Sequence, residues 1–142
     1  FGLFLERGLR ITRKGGLLGM IIPNYWLSTK NDRKLRRLIF WGNNVKEVLN
    51  VYSVFPNATV DTLILIVDRS RANRFPKQFR VNSVSRNLGS IRERLDSIES
   101  GQWEYDSIVS ISEREPDIQL SFRATFDLVG ADVLEAISKT VF

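Results

Sequence analysis

Two apolar runs separated by a short turn constrain the fold of this chain more than any other feature. The runs are residues 45–51 and 59–67, and Phe55-Pro56-Asn57 lies between them. Pro56 fixes its own φ and Asn57 suits a turn, so these residues favour a chain reversal. Strands joined by so short a connection are antiparallel neighbours. The sequence therefore predicts a β-hairpin with Phe55 in the turn that joins its two strands.

A helix and a buried strand are predicted ahead of this hairpin. Apolar residues recur at helical spacing in residues 1–13, and Gly15-Gly16 ends that helix. Residues 17–22 are apolar throughout, which is typical of a strand that is buried on both faces. The helical pattern is already under way at Phe1, so we expect the chain to be a piece of a longer protein.

A second helix is predicted for residues 32–41. Its expected buried stripe is Leu35, Leu38 and Ile39, and its expected outward-facing residues are Lys34, Arg36 and Arg37. The order helix–strand–helix–strand–turn–strand predicts the end of a doubly wound α/β sheet with a terminal antiparallel hairpin.

The second half of the chain is predicted to form a separate α+β region. Residues 68–76 are polar and resemble a linker, so we place a boundary between residues 1–70 and 71–142. The expected elements are a strand at 77–84, a helix at 88–98, extended segments at 105–112 and 118–126, and a helix at 131–138.

The absence of cysteine and histidine excludes several functions. Disulfides, thiolate or imidazole metal sites and Ser-His or Cys-His catalysis all need residues that this chain lacks. We therefore predict neither a metal site nor a catalytic residue. The longest uncharged apolar stretch, residues 15–29, is too short for a membrane span and contains Pro23. We expect a cytoplasmic protein without a membrane partner.

Charge is unevenly distributed along the chain. Residues 1–80 hold 15 basic and 5 acidic side chains, whereas residues 81–142 hold 6 and 11. The first half suits a polyanion, although solubility alone also explains a basic surface. The cluster Lys30, Arg33, Lys34, Arg36 and Arg37 is either a solvated helix face or a set of phosphate contacts on nucleic acid.

Aromatic residues supply the remaining candidates. Asn24, Tyr25 and Trp26 follow the predicted strand at its carboxyl end, where open α/β sheets bind ligands. The alternative is that Tyr25 and Trp26 pack under the next helix. Phe55 is either a plug of the core or a face on which a planar ligand stacks.

An ordered set of motifs resembles the gamma-type adenine-specific DNA methyltransferases, which include the fused type IIG restriction–modification enzymes. The motifs are Leu3-Phe4-Leu5-Glu6-Arg7-Gly8-Leu9, Lys14-Gly15-Gly16-Leu17-Leu18-Gly19-Met20-Ile21-Ile22-Pro23-Asn24-Tyr25-Trp26-Leu27, Leu35-Arg36-Arg37-Leu38 and Val54-Phe55-Pro56-Asn57-Ala58-Thr59-Val60-Asp61-Thr62. The resemblance covers residues 1–70. It implies the C-terminal part of a class I, Rossmann-like methyltransferase sheet, followed by a connector and the start of a target-recognition region.

The resemblance also implies an activity for the parent protein. Enzymes of this family transfer a methyl group from S-adenosylmethionine to the amino group of an adenine flipped out of double-stranded DNA. Phe55 matches the family's stacking residue for that base, and Asn24, Tyr25 and Trp26 would line the same edge. The family's cofactor motif and Asn/Asp-Pro-Pro-aromatic catalytic motif do not occur here. We therefore expect this fragment to bind the cofactor poorly and to be inactive alone. A half-sheet that lacks its central strands would expose the apolar face and edge of residues 17–22, so we also expect it to self-associate or rearrange.

Two other functions fit the residues. One is a non-catalytic α/β module that binds nucleic acid or another partner, and the other is part of a methyltransferase that acts on RNA or protein.

Overall fold

The computed structural model describes residues 1–57, 59–70, 74–121 and the strand at 127–128. Its helices are α1 (Gly2–Ile11), α2 (Arg33–Arg36) and α3 (Ile91–Ser100), with short 3-10 turns at Tyr25–Leu27 and Lys30–Asp32. Its strands are β1 (Leu17–Pro23), β2 (Asn44–Tyr52), β3 (Thr62–Asp68), β4 (Lys77–Ser83), β5 (Tyr105–Ile111), β6 (Leu120–Ser121) and β7 (Asp127–Leu128). No helix among these residues is long and apolar enough to cross a membrane.

Five of the strands form one mixed sheet in the order β1-β3-β2-β4-β5. Strand β3 lies between β1 and β2 and is antiparallel to both, so the predicted hairpin of β2 and β3 is confirmed. Strand β4 is parallel to β2, and β5 is antiparallel to β4. Strands β1, β2 and β4 therefore run in the same direction, and their carboxyl ends meet at one edge of the sheet. We call this edge the carboxyl edge.

The sheet continues across the boundary that the sequence predicts at residue 70. Strands β4 and β5 confirm the predicted strands at 77–84 and 105–112, but they extend the same sheet through the pairing of β4 with β2. The predicted helix at 88–98 is present as α3. Of the extended segment predicted at 118–126, the structure describes β6. The helix predicted at 131–138 lies outside the described residues.

Strand β1 differs from the prediction of a strand that is buried on both faces. In the described part of the chain it pairs with β3 alone, and α1 covers one of its faces with the buried side chains of Leu5 and Leu9. Leu17 and Ile21, on the other face, remain 60% and 46% exposed. Because one helix covers only one face, the apolar pattern of β1 leaves an exposed apolar surface at the edge of the sheet.

Helix α2 continues into a wider π-helical turn over Arg37–Trp41, and the buried face of this segment differs from the predicted one. Gly42 N–H donates to the carbonyl oxygen of Arg37, five residues earlier, at 3.1 Å. The buried face of this segment is formed by Arg36, Ile39 and Phe40, at the i, i+3, i+4 spacing of one helix face. Ile39 is buried as predicted, but Leu38 is 41% exposed, so its predicted place in the buried stripe is wrong.

The hydrophobic core is mostly aliphatic, and it contains a stack of three aromatic rings. Trp26 stacks on Phe40 with ring centroids 5.9 Å apart, and Phe40 stacks on Phe79 at 4.9 Å. Nearby, the buried ammonium of Lys77 donates to the carbonyl oxygens of Trp41 at 2.7 Å and Asn43 at 2.8 Å. Burial lowers the pKa of Lys77, because the interior disfavours its charged form.

Candidate functional site

Three strand ends bring polar groups together at the carboxyl edge. Strand β1 ends at Pro23, directly before Asn24, while β2 ends at Tyr52 and β4 at Ser83. Open α/β sheets bind ligands at this edge, because the loops that follow the strands converge there. The predicted position of Asn24 directly after a strand is confirmed. The parallel pairing of β2 with β4 brings residues from the second half of the chain to the same edge.

A chain of hydrogen-bonded side chains connects these three strand ends. Asn24 Nδ2 donates to Asn50 Oδ1 at 3.0 Å, and Asn50 Nδ2 donates to Ser83 Oγ at 3.0 Å. The Ser83 hydroxyl in turn donates to the carbonyl oxygen of Val84 at 3.0 Å. Asn50 is fully buried, so these bonds satisfy an amide that would otherwise be costly to bury.

Sequence analysis missed Asn50 and Ser83. A polar asparagine within the apolar run of β2 was a signal for Asn50, because a strand interior seldom holds an amide without a partner. Its partner Ser83 lies 33 residues away. No local pattern could have identified that residue.

The turn that carries Phe55 is held at both ends. Thr62 Oγ1 donates to the carbonyl oxygen of Tyr52 at 2.6 Å, and Asn24 N–H donates to that of Asp61 at 3.1 Å. Tyr52 and Asn57 adopt the left-handed conformation, with φ of 54° and 64°. This conformation is common for asparagine and uncommon for tyrosine, so the chain direction at Tyr52 is imposed by the surrounding contacts.

Helix α3 and the loop before it also contact this turn. The Arg94 guanidinium donates to the carbonyl oxygen of Ser53, and the Arg86 guanidinium lies 5.3 Å from the centroid of the Tyr52 ring. Phe55 itself is 48% exposed. Its ring therefore lies at the surface on a supported turn, and it does not fill the core of the described fold.

Tyr25 and Trp26 have different environments. Tyr25 is 51% exposed and meets Phe1 edge to face, with centroids 5.8 Å apart. Trp26 is fully buried under α2, against Phe40. The prediction that Trp26 lines the ligand edge is therefore wrong, and the alternative of packing under the next helix is confirmed for Trp26.

Arg36 is a buried structural residue, so its prediction as an outward-facing phosphate contact is wrong. Its guanidinium forms a bidentate ion pair with Asp117, with Nε–Oδ1 and Nη2–Oδ2 distances of 3.0 and 2.8 Å. Its Nη1 also donates to the carbonyl oxygens of Trp26 and Thr29, both at 2.6 Å. Helical spacing alone predicts an outward-facing Arg36, because these distant acceptors, which allow the charge to be buried, leave no local pattern.

The other members of the basic cluster fall into two groups. Arg33 donates to the carbonyl oxygen of Pro116 at 3.2 Å, and Arg37 donates to those of Glu115 and Pro116 at 3.1 Å. These two side chains hold the segment that precedes β6 against α2. Lys30 and Lys34 are exposed, and within the described ranges neither forms a salt bridge. They remain candidates for phosphate contacts.

The charge of Arg36 also affects Asp117. Burial by itself would raise the pKa of this carboxyl group. The hydrogen bonds from Arg36 and from the Ile118 backbone, with the positive charges of Arg36 and Arg33, outweigh burial and lower the pKa.

The described residues contain neither a cluster of metal ligands nor a glycine-rich phosphate-binding loop. Among them, no group of three His, Cys, Asp or Glu side chains could hold a metal ion. Gly15 and Gly16 precede β1, whereas the glycines of a phosphate-binding loop lie between a strand and the following helix.

The overall architecture is shared with components of restriction–modification systems. A structure of a type I restriction–modification system matches with a TM-score of 0.55 and 18% identity, over 77% of this chain and 28% of that chain. The type IIG restriction endonuclease BpuSI matches with a TM-score of 0.51 and 17% identity, over 78% of this chain and 14% of that one. At these identities the likeness shows the fold alone.

Sequence comparison identifies the particular relatives. Residues 1–55 match the family model of the Eco57I restriction-modification methylase. The type II restriction enzyme and methyltransferase RM.Eco57I of Escherichia coli is 25% identical over 109 residues, which is 71% of this chain and 11% of that protein. The predicted resemblance to type IIG restriction–modification methyltransferases is thus confirmed. The chain spans about a tenth of the length of this curated relative.

Proposed function

We propose that this chain is part of an S-adenosylmethionine-dependent DNA adenine-N6 methyltransferase, and that Phe55 stacks on an adenine flipped out of the duplex. The observation that carries this proposal is the half-exposed Phe55 ring, on a turn that is anchored by hydrogen bonds from Thr62 and Arg94. A base leaving the duplex loses its stacking neighbours. An aromatic ring restores about 1–3 kcal/mol of that stacking.

The surroundings of Phe55 support this role. Its turn joins β2 to β3, and the backbone of Asn24 is hydrogen-bonded to the end of that turn. Tyr25 presents a second, half-exposed aromatic ring in the loop that follows β1. Polar and aromatic groups at the same edge fit a planar base with hydrogen-bonding groups on its rim.

Other parts of the parent protein would bind the cofactor and provide the catalytic residues. The described residues contain no glycine-rich loop between a strand and a helix, so we assign none of them to S-adenosylmethionine. When bound, the cofactor would supply the methyl group. The residues described here would support the base through Phe55 and the strand-end side chains. Lys30 and Lys34 are the proposed contacts to DNA phosphate, and we place the enzyme in the cytoplasm.

The test uses the full-length enzyme with three substitutions at one position. Phe55→Ala removes the ring, Phe55→Leu keeps apolar bulk, and Phe55→Trp keeps an aromatic face. Flipping is followed by fluorescence of a duplex with 2-aminopurine at the target position, since this base brightens when it leaves the stack. Methylation of the matching adenine duplex is measured in parallel.

We expect Phe55→Ala and Phe55→Leu to lower methylation about tenfold or more and to weaken the fluorescence signal, with Phe55→Trp close to wild type. Wild-type behaviour of Phe55→Ala in both assays would refute the stacking role. If Phe55→Leu and Phe55→Trp gave equal methylation and fluorescence, the size of the side chain would be important and its aromatic face would not. Thermal unfolding of each variant serves as the control for folding.

A further inference from the structure

The Arg94 side chain connects helix α3 to two loops at the carboxyl edge. One guanidinium nitrogen, Nη1, donates to the carbonyl oxygen of Ser53, which directly follows β2. The other, Nη2, donates to the carbonyl oxygen of Leu88 at 3.4 Å, in the loop that follows β4. One guanidinium therefore holds the turn that carries Phe55 against the loop that precedes α3.

The guanidinium of Arg94 depends on these two acceptors. Among the residues that the structure describes, Arg94 forms no salt bridge, and its buried Nε has no hydrogen-bond partner. A partly buried cation is costly unless its N–H groups are bonded, and hydrogen bonds from a charged donor are strong ones. Because the guanidinium is a planar fork, its two bonds also fix the separation of the two loops.

Helix α3 is a rigid support for this side chain, because both of its ends are capped. At the amino end, Ser90 Oγ accepts from the N–H of Glu93 at 3.1 Å. At the carboxyl end, Gly101 adopts a φ of 65°, and its N–H donates to the carbonyl oxygen of Ile98 at 3.2 Å. Arg94 thus lies within a helix whose ends are held in place.

The turn that carries Phe55 has little packing of its own. The described residues from Phe55 to Val60 are all exposed, so buried side chains do not fix this stretch. Hydrogen bonds at the ends of the turn determine its position instead. Thr62 bonds to the carbonyl oxygen of Tyr52 at the end of β2, whereas Arg94 bonds to the residue two positions before Phe55.

We propose that Arg94 is a positioning residue for base stacking, which holds the turn so that the Phe55 ring is in place before the base leaves the duplex. This proposal rests on the proposed function above and extends it to a residue in the second half of the chain. The physical reason is preorganisation. A turn that is already ordered loses less conformational entropy when the base stacks on it.

The test uses three substitutions in the full-length enzyme. Arg94→Met keeps the apolar stem and removes the guanidinium. Arg94→Lys keeps the positive charge but has one nitrogen in place of the fork. Arg92→Met is the matched control, because the side chain of Arg92 lies on the same helix and is 86% exposed. Arg94→Met is also combined with Phe55→Ala.

Three quantities are measured for each variant at a temperature where thermal unfolding shows that all of them are folded. They are the affinity for the duplex, the single-turnover rate of methylation and the fluorescence of 2-aminopurine at the target position. The affinity reports binding of the duplex as a whole. The other two quantities report what happens to the target base after binding.

We expect Arg94→Met to lower the methylation rate about tenfold and to weaken the fluorescence signal, while the affinity for the duplex stays within about twofold of wild type. Arg94→Lys should remain clearly below wild type in both base-dependent readouts, and Arg92→Met should match wild type. In the Phe55→Ala background, Arg94→Met should lower the rate by less than about twofold more, because both changes remove the same interaction.

The other outcomes would overturn the positioning role. Wild-type methylation by Arg94→Met would show that the turn does not need the guanidinium. Full activity of Arg94→Lys would show that positive charge is sufficient, as in a contact to DNA phosphate. If the losses from Arg94→Met and Phe55→Ala multiplied in the double variant, Arg94 would act independently of Phe55.

The same variants separate failure of this proposal from failure of the proposed function. If Phe55→Ala methylates and flips the base as wild type does, the stacking role is refuted and the role of Arg94 fails with it. If Phe55→Ala is impaired and Arg94→Met is not, the stacking role stands and the positioning role alone is refuted.

Discussion

Arg36 and Asp117 join two segments that lie 81 residues apart in the sequence. The guanidinium is fully buried, and both of its hydrogen bonds to the carboxylate are short, at 3.0 and 2.8 Å. Its Nη1 group donates to two backbone oxygens of the loop between β1 and α2. This ion pair ties the segment before β6 to the helix that covers the sheet.

We expect Arg36→Ala to lower the free energy of unfolding of this chain by about 3 kcal/mol, because it leaves a partly buried carboxylate and several backbone acceptors without their partner. Urea denaturation measures the loss. The matched control is Arg80→Ala, which breaks the solvent-exposed pair of Arg80 with Asp106. We expect a clearly smaller loss there, since exposed ion pairs contribute little. Equal losses in the two variants would contradict the structural importance of the buried pair.

The same ion pair predicts a dependence of stability on pH. The pKa of Asp117 is lowered in the folded state, so its carboxylate stabilises the fold fully above the ordinary aspartate pKa of about 3.9. This contribution is lost as the pH falls below that value and through the lowered pKa. We expect Asp117→Asn to reduce the acid-induced loss of unfolding free energy relative to wild type. Identical acid unfolding curves, measured by circular dichroism, would contradict this.

Lys30 and Lys34 predict a specific change in the salt dependence of DNA binding. Each phosphate contact contributes about 0.9 to the slope of log affinity against log salt concentration. If both lysines contact phosphate, Lys30→Ala with Lys34→Ala in the full-length enzyme should lower the slope by about 2. Arg92→Ala removes an exposed cation from α3 and should leave the slope unchanged. An unaltered slope in the double variant would indicate a solvated helix face.

The exposed edge strand β1 predicts self-association of this fragment. Leu17 and Ile21 expose apolar side chains beside backbone groups available for pairing with another strand. We expect wild type to form concentration-dependent oligomers in sedimentation velocity, and Ile21→Lys to shift them toward monomer. Leu95→Lys, at an exposed position on α3, should have no such effect. A monomeric wild-type fragment across the concentration range would refute this prediction.

Local patterns were sufficient to predict much of the fold. The turn around Pro56 and Asn57 sets two strands side by side, and the structure confirms their antiparallel pairing. Helix α1 and strands β4 and β5 also follow from periodicity, because side-chain spacing along one element depends on that element alone. The ordered motifs of the first half carried the resemblance that the comparisons confirm.

Long-range partners decided the features that the sequence did not reveal. Arg36 has the spacing and charge of a solvent-facing residue. Its burial is favourable only because Asp117, which is distant in the sequence, forms an ion pair with it. Leu38 has the spacing of a buried residue, yet it is 41% exposed, because the packed face carries Arg36, Ile39 and Phe40. The predicted boundary at residue 70 falls inside one sheet for the same reason, because β4 finds its partner in β2.

The sequence by itself determined the hairpin, the place of Phe55 in its turn and the lack of residues for metal or histidine chemistry. Each of these depends on neighbouring residues or on composition. The tertiary structure decided that Trp26 and Arg36 are interior and that Asn24, Asn50 and Ser83 form one directed chain. Hydrogen bonds and burial depend on which distant segments meet, and the meeting of three parallel strand ends is a property of the assembled sheet.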